Sequence, residues 1–123
     1  MMTSARPETL QVDVVQAAGY PCVCLSGRGD CRGARLLHGL FSRLIESGYS
    51  RLMLDTRGLR SLDARSAETL RDAVCMAEEE GGVLVVVDES PHKERALKLL
   101  DLKRIADVAP SVSAAAAHLD RHA

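Results

Sequence analysis

The sequence predicts an α/β domain: a mixed β-sheet of about four to five strands that opens with a β-hairpin and carries its helices mainly on one face. Three observations point there. Two extended apolar runs flank Gly19-Tyr20-Pro21 near the start of the chain. Beyond them, amphipathic helical stretches alternate with short strands. The β-branched run Val83 to Val87 follows such a helix, which makes it the second arm of a βαβ crossover and implies a parallel pair. A length of 123 residues suits one core of this kind and is too short for two. We therefore expect a flexible segment over 1–9 and a single domain over 10–123.

Leu10, Val12 and Val14, then Val15, give a mostly alternating pattern, and Cys22-Val23-Cys24-Leu25 resumes extended character after the turn. Leu36, Leu37, Leu40, Phe41, Leu44 and Ile45 recur at helical spacing until Ser47-Gly48, which predicts a first helix over about 32–47. Arg51 to Asp55 reads as a central strand buried on both faces, followed by a loop over Thr56 to Leu62. A second helix turns Ala67, Leu70, Val74 and Ala77 inward and ends through Glu78-Glu79-Glu80 at Gly81-Gly82. After Val83–Val87, a third helix starts at Ser90 or Pro91, and Ile105 to Val108 is a short extended piece. Pro110 breaks it, and Ser111 or Ser113 caps a last Ala-rich helix reaching about His118.

Composition narrows the function classes. Sixteen basic and seventeen acidic side chains supply no net field to gather nucleic acid or anionic lipid, and only Phe41, Tyr20 and Tyr49 are aromatic, so platforms for stacking bases are scarce. Met1 to Pro7 is polar, and the strongest apolar run, Val83 to Val87, is far below membrane-spanning length, so a cytoplasmic protein without membrane insertion is expected. Cys22, Cys24, Cys31 and Cys75 are then expected as free thiols. Cys22, Cys24 and Cys31 lack the spacing of a zinc knuckle or ribbon, so neither a metal nor a cofactor is expected. His38, His92, His118 and His122 stand beside no Ser or Cys in a nucleophile–base pattern, and Ser26-Gly27-Arg28-Gly29 is too short for a phosphate loop. An enzyme is not expected. Its best version would be a receiver-type phosphoaspartate domain built on Asp55, and the hairpin start argues against it.

Leu25-Ser26-Gly27-Arg28-Gly29-Asp30, the run Arg51 to Asp63, and Ala96 to Leu102 followed by Ile105 to Val108 together, in this order, resemble the STAS family of the anti-sigma factor antagonist type, from about Leu10 to Leu119. The resemblance implies a protein–protein interaction module in partner-switching control of transcription or stress signalling. Its leading partner is an anti-sigma factor with a serine-kinase-like fold. The alternative is a phosphorylation-independent STAS subunit of a lipid-transport ABC system or signalling scaffold, whose partners are the transporter components.

In that family the loop ending in Asp usually continues Ser-Ser-Gly, and the second Ser is phosphorylated by the partner kinase. Here it reads Asp63-Ala64-Arg65-Ser66, which places Arg65 at the acceptor position. The resemblance puts the partner surface at Asp30, Leu62, Asp63, Ala64, Arg65, Ser66 and Ala67, on a turn expected to protrude. Three readings of the substitution stay open. Arg65 pairs with a partner carboxylate or phosphate through its planar fork; Ser66 has taken over as acceptor; or Arg65 is solvated and Ser66 supports the helix cap. Asp30 is likewise either part of the partner surface or a cap on the first helix.

Overall fold

The computed structural model describes residues 9–88 and 106–122. The expected flexible segment, apart from Thr9, and the expected third helix, with His92 and Ile105, lie outside the described residues, as does the side chain of Cys31.

The predicted opening hairpin is β1 (Gln11–Ala17) and β2 (Tyr20–Gly29), antiparallel with Val14 opposite Val23. Its turn needs a left-handed backbone, supplied by Ala18 at φ 54° and Gly19 at φ 92°. Helix α1 (Cys31–Glu46) leads to β3 (Arg51–Leu62), α2 (Ala64–Glu79) and β4 (Val83–Val87). The described chain closes with β5 (Asp107–Ala109) and α3 (Val112–Arg121). The five strands lie in chain order, β2 to β5 all parallel, so β3 is the middle strand as its continuous apolar run predicts.

Two regions depart from the pattern expected of the sequence. Thr56 to Leu62 is strand and not loop: β3 runs on to Leu62, and β2 runs beyond Leu25 to Gly29. Their register shifts between Cys24 and Ser26 and again between Gly27 and Arg28, then resumes with Arg28 opposite Ser61 and Gly29 opposite Leu62. Irregularities of this kind bend and re-aim a strand without ending its pairing. The polar, Gly- and Arg-rich composition that reads as loop is what a bulged strand end looks like. The second departure concerns Leu36, which is half exposed because α1 buries the stripe Ala34, Leu37, Phe41 and Ile45.

Strand alternation divides the core into two layers. Val23, Leu25, Leu52, Leu54, Leu84 and Val86 meet α1 and α2. Cys22, Met53, Val85 and Val87 point the other way and meet Ala115, Ala116 and Leu119 of α3. Two of the three described helices thus share one face, and the small residues of α3 cover part of the other. Burying each large aliphatic side chain contributes about 1.5–3 kcal/mol. Thr56, buried among them, stays satisfied by donating its hydroxyl to the Val87 carbonyl at 3.0 Å.

Candidate functional site

The extended ends of β2 and β3 deliver the N-termini of α1 and α2 side by side. Each helix begins with an aspartate in extended backbone whose carboxylate caps the first turn. Asp30 accepts from the Gly33 N–H at 3.0 Å, and Asp63 accepts from the Ser66 N–H at 2.8 Å. Two further bonds tie the caps together. The Asp63 N–H donates to the Gly29 carbonyl at 2.9 Å, and the Ser66 hydroxyl donates to the Asp30 carbonyl at 2.9 Å. Gly29 sits in the seam: a Cβ there would come within 2.8 Å of Leu62 Cδ1 and 3.3 Å of Ser66 Oγ. The close approach of the two helix starts requires its missing side chain.

Asp63, Ala64 and Arg65 are exposed, and Asp30 is half-buried between them and α1. Leu62, Ser66 and Ala67 turn inward, at 4%, 0% and 8% exposure. The protruding turn is therefore shorter than expected, because the first turn of α2 packs against the start of α1. Burial bears on the reading of Ser66 as an acceptor. Its hydroxyl is engaged with Asp30 and faces the interior, so a kinase reaches it only if the turn opens. Asp30 acts as a cap; its carboxylate is committed to Gly33 whatever else it touches.

Beside this rim lie two grooves that sequence patterns alone do not assemble. One, of about 270 Å³, runs between α1 and α2 and is lined by Ala34, Arg35, His38, Arg65 and Thr69. The other, about 180 Å³, lies on the outer side of α1, between Leu10, Asp30, Arg32 and Leu36. The available signal was Leu36 itself, an apolar residue one position off the buried stripe of its helix, with Arg35 beside it. Together they give the rim a cationic cleft on one flank and an exposed aliphatic side chain on the other.

The opposite sheet face carries a groove of about 470 Å³ lined by Asp13, Cys24, Leu25, Ser26, Asp55, Arg57 and Gly58. Asp55 does not end its strand; it lies midway along β3, gripped by Arg57 through Nε at 2.9 Å and Nη2 at 2.8 Å. Burial pushes the Asp55 carboxyl up, but the hydrogen bonds and charge of Arg57 outweigh it and leave the pKa below the ordinary carboxylate value. The Cys22 and Cys24 sulfurs lie 3.8 Å apart on the same face, with Asp55 within reach of both. Burial, then the neighbouring Cys24, pushes the Cys22 thiol up to about 12.

The family model described as "Mlab, STAS domain" matches residues 5–110. The chain belongs to the STAS domain family. An anti-sigma factor antagonist from Mycobacterium paratuberculosis has the same fold, with a TM-score of 0.78, 20% identity, and coverage of 95% of this chain and 99% of its own. A single-substitution variant of RsbS from Moorella thermoacetica superposes at a TM-score of 0.72 with 18% identity, covering 90% of this chain and 96% of that protein. The anti-sigma factor antagonist SpoIIAA in its unphosphorylated form does so at 0.70 with 13% identity, over 91% and 97% of the two chains. No curated protein sequence matches the chain. Among the described residues, no helix is long and apolar enough to cross a membrane.

Proposed function

We propose that this STAS domain is a protein-docking module of partner-switching regulation, and that it engages its partner through the rim formed by Asp30, Asp63, Ala64 and Arg65 without being switched by serine phosphorylation. The observation that carries the reading is the pairing of two capped helix starts, which presents Arg65 to solvent while Ser66 is locked beneath it. A phosphoserine on such a turn would add about −1.5 to −2 charge and repel a docked partner. Arg65 fixes a permanent positive charge there instead, next to Arg35 and His38. The complementary partner surface is acidic or bears phosphate, with an apolar spot to meet Leu36. Leu62, Ser66 and Ala67 serve this surface from below by fixing the turn. The relatives named as anti-sigma factor antagonists support an anti-sigma factor as the leading partner; a kinase-like fold of that partner, a place in the cytoplasm and docking in place of catalysis belong to the same proposal.

The arginine at the acceptor position together with the buried Ser66 also favours a second reading, a STAS subunit of a lipid-transport ABC system, whose docking needs no switch. Neighbouring genes separate the two: an anti-sigma kinase favours the first, a transporter ATPase and permease the second. Affinity capture from native lysate with wild-type and Arg65→Glu baits, quantified by mass spectrometry, tests the docking face itself. The expected result is a partner retained by wild type and lost from the charge-reversed bait. Equal recovery of every partner on both baits would make the assigned face wrong.

A further inference from the structure

The C-terminal helix and the last strand bring together a second cluster of donor atoms, far in sequence from the docking rim. His118, in the last turn of α3, and His122, the C-cap of that helix, have ring centroids 4.8 Å apart. Asp107, on β5, reaches the first of them: its Oδ2 lies 2.7 Å from His118 Nε2. One ligand atom from each of the three side chains lies within 4.8 Å of the others. We propose that Asp107, His118 and His122 form a binding site for a late first-row divalent cation such as zinc(II).

The chemistry of the donors selects this class. Two imidazole nitrogens and one carboxylate suit zinc, copper(II) or nickel(II), whereas calcium and magnesium prefer oxygen alone. Two histidines at i and i+4 on a helix point to one side, so the chelate is built into the backbone and loses little freedom on binding. Tetrahedral bonds of about 2.0–2.1 Å to zinc set neighbouring donors about 3.3 Å apart. The His118–Asp107 pair, at 2.7 Å, therefore has to open by about 0.6 Å, and the exposed His122 side chain can close the remainder. The cluster also sits in the last turn of α3, with His122 as its C-cap, where the negative end of the helix dipole favours a cation.

One group competes. The Arg121 guanidinium lies 3.3 Å from His118 Nδ1; when the ring is neutral and accepts from Arg121, its proton is on Nε2 and faces Asp107. Coordination through Nε2 moves that proton to Nδ1 and releases Arg121, which is exposed, to solvent. The one remaining tetrahedral position opens to water. The three ligands clamp the end of α3 to the edge strand, so zinc binding also raises the melting temperature.

Isothermal titration of the full chain with zinc chloride, in a non-chelating reductant, tests the proposal against the thiols as rival ligands. The expected result is one zinc per chain, with affinity reduced about tenfold or more, the scale on which even outer-sphere partners act, in His122→Ala and in Asp107→Asn. The double variant Cys22→Ser/Cys24→Ser is expected to bind as wild type does. His122→Ala alters an exposed side chain at a helix end, so it folds, and its circular dichroism verifies this. Absence of zinc uptake, uptake indifferent to His122→Ala, or uptake abolished by the cysteine variant would each overturn the assignment.

Discussion

At the scale of single residues, Ser66 decides how the docking turn works. Its side chain is completely buried and donates to the Asp30 carbonyl, so it holds two helix starts together instead of presenting a hydroxyl. Ser66→Ala removes one of the two donors on that carbonyl, which keeps the Ala34 N–H at 2.9 Å, and about 0.5–1.5 kcal/mol of stability is expected to be lost in urea unfolding. Ser66→Asp buries a charge in the same place and should destabilise the fold further; a phosphomimetic that left stability unchanged would mean the turn is open. The identity of Asp63 as an N-cap was legible in the sequence, because Asp before an amphipathic run has a local meaning. The burial of Ser66 was not. Which side of a first turn faces a neighbouring helix is set by how α2 packs on α1, and nothing in four consecutive residues encodes it.

At the scale of elements, the strands β2 and β3 are longer than their hydrophobic patterns. Val23, Leu25, Leu52 and Leu54 announce the buried halves, but Ser26 to Gly29 and Thr56 to Leu62 keep pairing through register shifts that composition disguises as loop. These bulged ends carry the caps to the rim, and Gly29 lets them meet. In Gly29→Ala the new methyl presses on Leu62 and Ser66, so a loss of about 1–3 kcal/mol from overpacking is expected, again by urea unfolding. A neutral outcome would show that the seam is looser than its 2.8 Å approach implies. Helix α1 makes the complementary point. Leu37, Phe41 and Ile45 of its buried stripe were readable from spacing and Ala34 was not, whereas the exposure of Leu36 depends on where the sheet edge stops covering the helix.

At the scale of the whole molecule, the order of strands and helices followed from periodicity, since a hairpin feeding successive crossovers leaves few ways to stack a single sheet. Which face α3 covers did not, because an Ala-rich helix can pack on either side. Its docking on the face opposite α1 and α2 buries Cys22 and gives the fold an alkaline weakness. The Cys22 thiol rises from 9.0 to about 12 in the folded protein, so above pH 9 the unfolded chain sheds a proton that the native state retains. The stability tied to this thiol is complete below the unfolded pKa and is lost as pH climbs toward the folded value. Denaturant midpoints measured across that range should fall more steeply for wild type than for Cys22→Ala; parallel curves would show that burial does not hold this proton.

The same global arrangement makes the partner's footprint a matter of location. First-turn amides of a helix lack intrahelical acceptors and depend on caps, so they report sensitively on anything that covers them. Hydrogen–deuterium exchange of the chain with and without its captured partner therefore tests the docking assignment most directly. Docking at the rim predicts slowed exchange on binding over residues 29–36 and 63–66, with α3 and β1 unchanged. Protection confined to α3 or to the β1 edge, with the paired helix starts exchanging as they do in the free protein, would contradict it.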